Sequence, residues 1–230
     1  MTGEKQPKVG AVIVAAGASR RMGGLDKVWA PLAGKPVLAR AIDVFQGCAS
    51  IHQIVVVVSK ANLAKTRQLV RDQGWSRVTG VCTGGSLRQE SVVAGLEYLG
   101  NCDWVVVHDG DRPLVTGELI TSGLEAAQET GAATAAVPVT DTLKVSADGL
   151  FIQGTPPRQS LWVVQTPQVF RGDIITRAHQ QIKVEVTDDS ALVERLGCRV
   201  KIYMGSYDNI KITTPQDLVL VEILWRKRGE

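Results

Sequence analysis

Short apolar runs alternate with helix-patterned stretches along most of this chain, and that alternation constrains the fold more than any other feature. Val9–Val14, Gln53–Val58, Val78–Cys82 and Asp103–Val107 are rich in β-branched residues and show little polar-apolar alternation. Strands buried on both faces read this way, because helices cover the sheet above and below. Between the runs, Pro36–Phe45 places Leu38, Ala41, Ile42 and Phe45 on one helical face. Ala61–Arg71, Leu87–Leu99 and about 117–130 read as further helices, and Ala132–Val139 as another strand. A short helix at Arg171–Gln181, a helix at Asp188–Leu196 and a strand at Arg199–Met204 follow. Pro215 then opens a final helix, with Thr213 and Thr214 available as caps. The expected class is α/β: a mostly parallel, Rossmann-like twisted sheet with helices on both faces.

One stretch departs from the pattern. Thr142–Val145 and Leu150–Gln153 read as strands around Ser146-Ala147-Asp148-Gly149, and Asp-Gly is a strong hairpin signal. Pro156, Pro157 and Arg158 follow, then a strand-like Leu161–Gln165. The expectation is one domain over residues 1–230 carrying a protruding β-hairpin arm at about 141–162. An arm on so small a body is expected to bury itself against a second copy, giving a homodimer; a free-standing arm is the alternative.

In sheets of this class the ligand lies over the carboxyl ends of the strands, so the loops there carry the chemistry. The first run ends at Ala15-Ala16-Gly17 and leads into a loop with Ser19, Arg20, Arg21, Gly23, Gly24 and Lys27. Successive backbone N–H groups in such a turn form an anion-binding concavity, and the basic side chains add positive charge. The spacing excludes a dinucleotide fingerprint, which needs G-x-G-x-x-G, and a P-loop, which needs Lys-Ser or Lys-Thr after its second glycine. A polyphosphate site and an ordinary strand-to-helix turn with solvated arginines both remain open for this loop taken alone. Gly84-Gly85 after the third run and His108-Asp109 after the fourth are the other unusual termini.

Composition narrows the function. With 26 basic and 23 acidic side chains, the net charge of +3 is too balanced for a nucleic-acid-binding surface. Cys48, Cys82, Cys102 and Cys198 form no C-x-x-C pair, which argues against a metal knuckle and fits reduced thiols in a cytoplasmic chain. The N-terminal segment is polar and shows no signal-peptide pattern, and no apolar stretch approaches the about 20 residues of a membrane span.

Eight segments then occur in a telling order: AAGASRRM, the lysine at 27, TGGSLRQESV, VHDGDRP, PVTDTLK, QTPQVF, VTDDSALVE and DNIKITTPQDL. Together they resemble the 2-C-methyl-D-erythritol 4-phosphate cytidylyltransferases of the non-mevalonate isoprenoid pathway. The resemblance runs from Val9 to about Leu220. It implies an enzyme that joins CTP to a sugar-alcohol phosphate and releases pyrophosphate. The attacking phosphate monoester is largely a dianion at neutral pH, so no general base is required. Positive charge is required, because two anions must meet at the α-phosphorus. The three histidines agree, since none sits in a nucleophile-base arrangement. His108 reads as a structural residue at a strand end, and His52 and His179 as surface residues.

By motif, the resemblance implies that Arg21, Lys27, Arg158 and Lys211 are catalytic. Arg21 and Lys27 look like the pair stabilising charge on the triphosphate, Arg158 and Lys211 like those orienting the attacking phosphate. Ala15, Ala16, Gly17, Ser19, Gly84, Gly85, Arg88, Ser91, Asp109 and Gly110 look like nucleotide contacts. The alternative for Ser91 is a first-turn helix cap. Asp109, Arg112, Thr142, Arg158, Thr166, Thr187 and Lys211 look like acceptor contacts. Thr142 and Arg158 belong to the arm, which in this family reaches the neighbouring subunit's site. Mg²⁺ is implied, held mainly by the CTP phosphates, and Asp109 is able to contact it.

Two departures stand out. The usual Pro-Lys appears here as Asp26-Lys27-Val28-Trp29, wording that also resembles the molybdenum-cofactor nucleotidyltransferases within the first forty residues. The usual His-Asp-Ala-Ala-Arg-Pro appears as His108-Asp109-Gly110-Asp111-Arg112-Pro113. Asp111 adds a carboxylate that could touch a substrate hydroxyl, bind metal or face solvent. It also leaves open ribitol 5-phosphate cytidylyltransferase, which shares the nucleotide loop but takes another alcohol. A nucleotide-binding regulatory module is a rival from another class, although binding alone needs fewer cations than are present.

Overall fold

The computed structural model describes residues 7–19 and 21–229. In chain order the strands are β1 (Val9–Ala15), β2 (Pro31–Leu32), β3 (Lys35–Pro36), β4 (Gln53–Val58), β5 (Val78–Thr83), β6 (Trp104–Asp109), β7 (Ala132–Pro138), β8 (Trp162–Arg171) and β9 (Lys201–Met204). The helices are α1 (Val37–Gly47), α2 (Leu63–Gln73), α3 (Arg88–Leu99), α4 (Gly117–Ala127), α5 (Gly172–Gln181), α6 (Asp189–Arg195) and α7 (Pro215–Lys227).

Seven strands form one sheet in the order β5-β4-β1-β6-β8-β7-β9. β8 alone runs against its neighbours, pairing antiparallel with both β6 and β7; the remaining pairs are parallel. The α/β class, the mostly parallel sheet and the two helical layers therefore agree with the sequence. Alternate residues of each central strand face opposite layers, as the pleat requires. Ala11 and Ile13 of β1 join Ile54 and Val56 of β4 against α1 and α4. Val12, Val55 and Val57 point the other way, onto α3, α5 and α6. Both sets are buried, which is why the strands carry no polar alternation.

A third, smaller core lies beside the sheet. Val221 and Trp225 of α7 pack on Met22, Leu32, Val37, Leu114 and Ile212. α7 starts as expected: the Asp217 carboxylate accepts from the Thr213 and Thr214 N–H groups, at 2.9 and 2.8 Å, and Pro215 occupies the first turn.

Three expectations need correction. The arm does not form the two regular strands read at 142–145 and 150–153. One antiparallel bridge, Val145 to Gly154, joins its limbs. Its tip is held by Asp148, whose Oδ1 accepts from Leu150 and Phe151 N–H at 2.8 and 3.0 Å. With polar backbone satisfied locally, the limbs need no longer ladder. The strand read at 161–165 runs on to Arg171, because it is the sheet's antiparallel member. Residues 60–62 form a tight 3₁₀ turn ahead of α2, and β2 and β3 make a two-stranded sheet that was not foreseen.

Candidate active site

β1, β4, β5 and β6 are parallel, so their carboxyl ends open on one edge, and the loops after β1, β5 and β6 meet there. The loop after β1 is braced from within. Lys27 N–H donates to Ser19 Oγ at 3.3 Å, and Asn62 Nδ2 donates to Asp26 Oδ2 at 2.7 Å. Asp26, where the family pattern has proline, thus ties the loop to the turn before α2 and fixes the base of Lys27.

The loop after β5 comes close enough that its glycines are needed. A Cβ on Gly84 would lie 2.3 Å from Ser91 Oγ and 2.7 Å from Ala16 Cβ. Glu90 then reaches back to the Ser86 and Leu87 N–H groups at 2.7 and 3.0 Å, closing the turn. Ser91 Oγ donates to the Leu87 carbonyl at 3.3 Å, a first-turn bond, while the residue still lines the cleft. The loop after β6 is held tighter. Gly110 N–H donates to Val14 O at 2.8 Å, and a Cβ there would meet Leu38 and Ala15 at 2.9 and 3.0 Å.

His108, fully buried, anchors that loop. Its Nε2 lies 3.1 Å from the Arg112 carbonyl, which can only accept, so Nε2 carries the proton. Nδ1 therefore accepts from the Thr166 hydroxyl at 3.1 Å, and that hydroxyl accepts from Asp109 N–H at 3.0 Å. Burial pushes the ring's pKa down to about 4. The expectation of a structural histidine agrees.

Two hollows open along this edge. One, of about 380 Å³, is lined by Ala15, Ala16, Gly17, Gly85, Ser91 and Lys27. The other, of about 420 Å³, is lined by Arg112, Thr166, Thr187 and residues at the start of α6. Arg88, Asp109 and Lys211 line both. Asp109 is the hub: Lys211 Nζ lies 2.8 Å away, Arg88 Nε 3.3 Å and Arg112 Nε 3.7 Å. Burial works to raise the Asp109 pKa, but Arg88, Lys211 and Arg112 prevail and hold it well below the usual carboxylate range. Lys27 Nζ pairs with Asp111 at 2.5 Å.

Arg88 is itself held from behind. Its Nη1 donates to Asp189 Oδ2 at 2.6 Å, and Asp189, fully buried, also lies 3.0 Å from His179 Nε2. Burial opposes the charge on Arg88, and the Asp189 and Asp109 carboxylates more than offset it, raising its pKa. His179 is therefore not the surface residue expected; its ring sits under α6 with a carboxylate partner. Asp189 and His179 escaped the sequence reading. The doubled Asp188-Asp189 at a helix start was the available signal, and Asp188 takes the capping role.

Not every expected residue reaches the hollows. Arg21 is exposed and lines neither; burial works to raise the Asp217 carboxyl, the Thr214 and Thr213 donors ahead of α7 lower it, and Arg21 is near enough to add to that lowering. Ser19 braces its own loop and borders a neighbouring hollow. Thr142 and Arg158 are exposed on the arm, where Arg158 Nη1 donates to the Thr140 carbonyl at 2.7 Å. Arg20 lies outside the described residues.

The family profile described as 2-C-methyl-D-erythritol 4-phosphate cytidylyltransferase matches residues 9–227. The chain belongs to this family. A protein of that name from Dehalococcoides mccartyi is 54% identical over 221 residues, covering 96% of this chain and 97% of its own. Another from Caldanaerobacter subterraneus is 45% identical, covering 95% and 99%. Among solved structures, the 4-diphosphocytidyl-2C-methyl-D-erythritol synthase of Anaerococcus prevotii superposes with a TM-score of 0.84 at 28% identity, over 96% of each chain. The Thermus thermophilus 2-C-methyl-D-erythritol 4-phosphate cytidylyltransferase superposes with a TM-score of 0.78 at 32% identity, over 95% of this chain and 99% of that one. Asp111, buried between the loop and Lys27, is thus a feature of a family member rather than the mark of a different enzyme class.

Proposed function

We propose that this family member transfers the cytidylyl group of CTP to 2-C-methyl-D-erythritol 4-phosphate. A phosphate oxygen of the acceptor forms a bond to the α-phosphorus, and the bond from that phosphorus to pyrophosphate breaks. The products are 4-diphosphocytidyl-2-C-methyl-D-erythritol and pyrophosphate, with no proton abstracted. The observation that carries this reading is the pair of hollows sharing Arg88, Asp109 and Lys211. Two ligands seated there meet at one cationic septum, as an attack of one anion on another requires.

In this reading CTP occupies the first hollow, with its base against Gly84, Gly85 and Ser91 and its triphosphate along Ala15, Ala16, Gly17 and Ser19. Lys27 stabilises charge at the α-phosphoryl group, and Arg21 meets the distal phosphates beyond the cleft. The acceptor occupies the second hollow, with Asp109, Arg112, Thr166 and Thr187 at its hydroxyls and Lys211 at its phosphate. A divalent cation, Mg²⁺ for preference, travels with the triphosphate and neutralises part of its charge.

Thr142 and Arg158 complete the site of a neighbouring subunit. What supports this is the arm's apolar tip: Leu150, Phe151 and Ile152 are 80, 74 and 65% exposed. Burial of such a patch against a second copy is the ordinary way to remove it from water. The four unpaired cysteines fit a cytoplasmic enzyme, and no helix among the described residues is long and apolar enough to cross a membrane.

The acceptor decides the matter experimentally. Purified protein with CTP, Mg²⁺ and methylerythritol phosphate should release pyrophosphate, while ribitol 5-phosphate should serve poorly. The relatives named above all point to the methylerythritol compound; equal or reversed rates would remove the assignment.

A further inference from the structure

Asp111 is the residue of this site that the loop's architecture does not require. Its backbone carbonyl accepts from Ile212 N–H at 2.9 Å, so the main chain secures the Lys211 segment whatever side chain stands here. The residue is 6% exposed, which removes the solvent-facing option. Oδ2 pairs with Lys27 Nζ at 2.5 Å, whereas Oδ1 is buried with no hydrogen-bond partner. Asp111 also lines the hollow that holds the β1 loop. A buried anionic oxygen without a donor is costly, so an unsatisfied one on a residue that lines a ligand cleft points to a ligand group that satisfies it.

The chemistry of the expected ligand narrows that group. A triphosphate brings several negative charges to a cleft already holding Asp109 and Asp111 on either side of Gly110. A substrate hydroxyl on Oδ1 would supply a hydrogen bond but leave carboxylate and phosphate repelling each other. A hard divalent cation satisfies Oδ1 and separates the two anions. No cluster of three or more acidic, histidine or cysteine side chains among the described residues could hold such an ion alone. The phosphates must then supply the other ligands, in the usual manner of Mg²⁺.

We propose that Asp111 Oδ1 is a direct ligand of the divalent cation that enters with the nucleotide, so that this chain selects the metal-bound triphosphate. The proposal rests on the reading that the first hollow takes CTP. Without the ion, Asp111 holds Lys27 and repels the phosphates; with it, Asp111 turns to the ion and Lys27 is released to the phosphates.

Calorimetric titration of CTP, with Mg²⁺ and with EDTA, tests this on the wild type, Asp111→Asn and Asp111→Ala. The variants should bind metal-free CTP more tightly than the wild type, and their gain in affinity on adding Mg²⁺ should be smaller by roughly tenfold, the scale of one charge-assisted contact. An unchanged Mg²⁺ gain in folded variants overturns the proposal. Mn²⁺-CTP on wild-type protein labelled with ¹³C-aspartate gives a readout that needs no variant: carbon coupling in the electron-nuclear double resonance spectrum is expected, and its absence is equally fatal. Wild-type turnover of CTP alongside either negative result would sink the metal ligand alone. A wild type that binds no CTP under any condition would remove the nucleotide reading with it.

Discussion

Lowering the pH should destabilise this protein through His108 well before its carboxylates titrate. An exposed histidine has a pKa near 6.5, and burial brings His108 to about 4. The unfolded chain therefore takes up a proton between these values that the folded chain refuses, so stability falls as pH falls through this window. The gap of about 2.5 units corresponds to about 3 kcal/mol in the low-pH limit, of which about 2 kcal/mol is lost by pH 5. Asp109 and Asp189 behave oppositely in position though not in sign. Their folded pKa values lie below the usual range, so their contribution is complete above about pH 4 and is lost only at more acid pH. The assay is urea unfolding at several pH values between 7 and 4.5, on the wild type and His108→Gln. Glutamine starts from lower stability but has no proton to take up, so the two curves should converge as pH falls. Parallel curves, or the His108 imidazole resonance itself titrating near 6.5 in the native protein, would refute the assignment of a neutral Nε2–H tautomer wedged between Arg112 and Thr166.

Lys27→Ala should lower kcat by roughly 10²–10³, the scale for losing one preorganised stabiliser, and a wild-type rate would show the site misplaced. Asp189→Asn should lower kcat/KM by loosening Arg88, and that loss should vanish in an Arg88→Ala background; equal losses in both backgrounds would mean Asp189 acts on stability alone. Asp189→Ala should cost about 3–5 kcal/mol of unfolding free energy by denaturant titration, because Arg88 and His179 lose a buried acceptor. Mixing Arg158→Ala with Lys27→Ala protein should restore part of the activity, since a mixed dimer holds one intact site. Absence of recovery after proven subunit exchange would count against the shared arm.

The order and type of the main elements were legible because period and burial follow from residues close in sequence. The QIVVVV run of β4 has no polar alternation, since both of its faces meet helices, and α7 was marked by Thr213, Thr214 and Pro215 in succession. The loops bearing Lys27, Gly85 and Asp109 were legible as a set, because strand direction alone sends their ends to one edge, whereas Lys211 came from the resemblance. What only the tertiary structure decided were pairings across large sequence separations. Arg88 and Asp189 are 101 residues apart, and Lys211 and Asp109 are 102. No local pattern encodes which carboxylate meets which cation, since the energy of a buried charge depends on neighbours that arrive only when the sheet closes. The same reason put His179 under a helix rather than on the surface, and left Asp111 with one oxygen paired to Lys27 and the other buried without a partner.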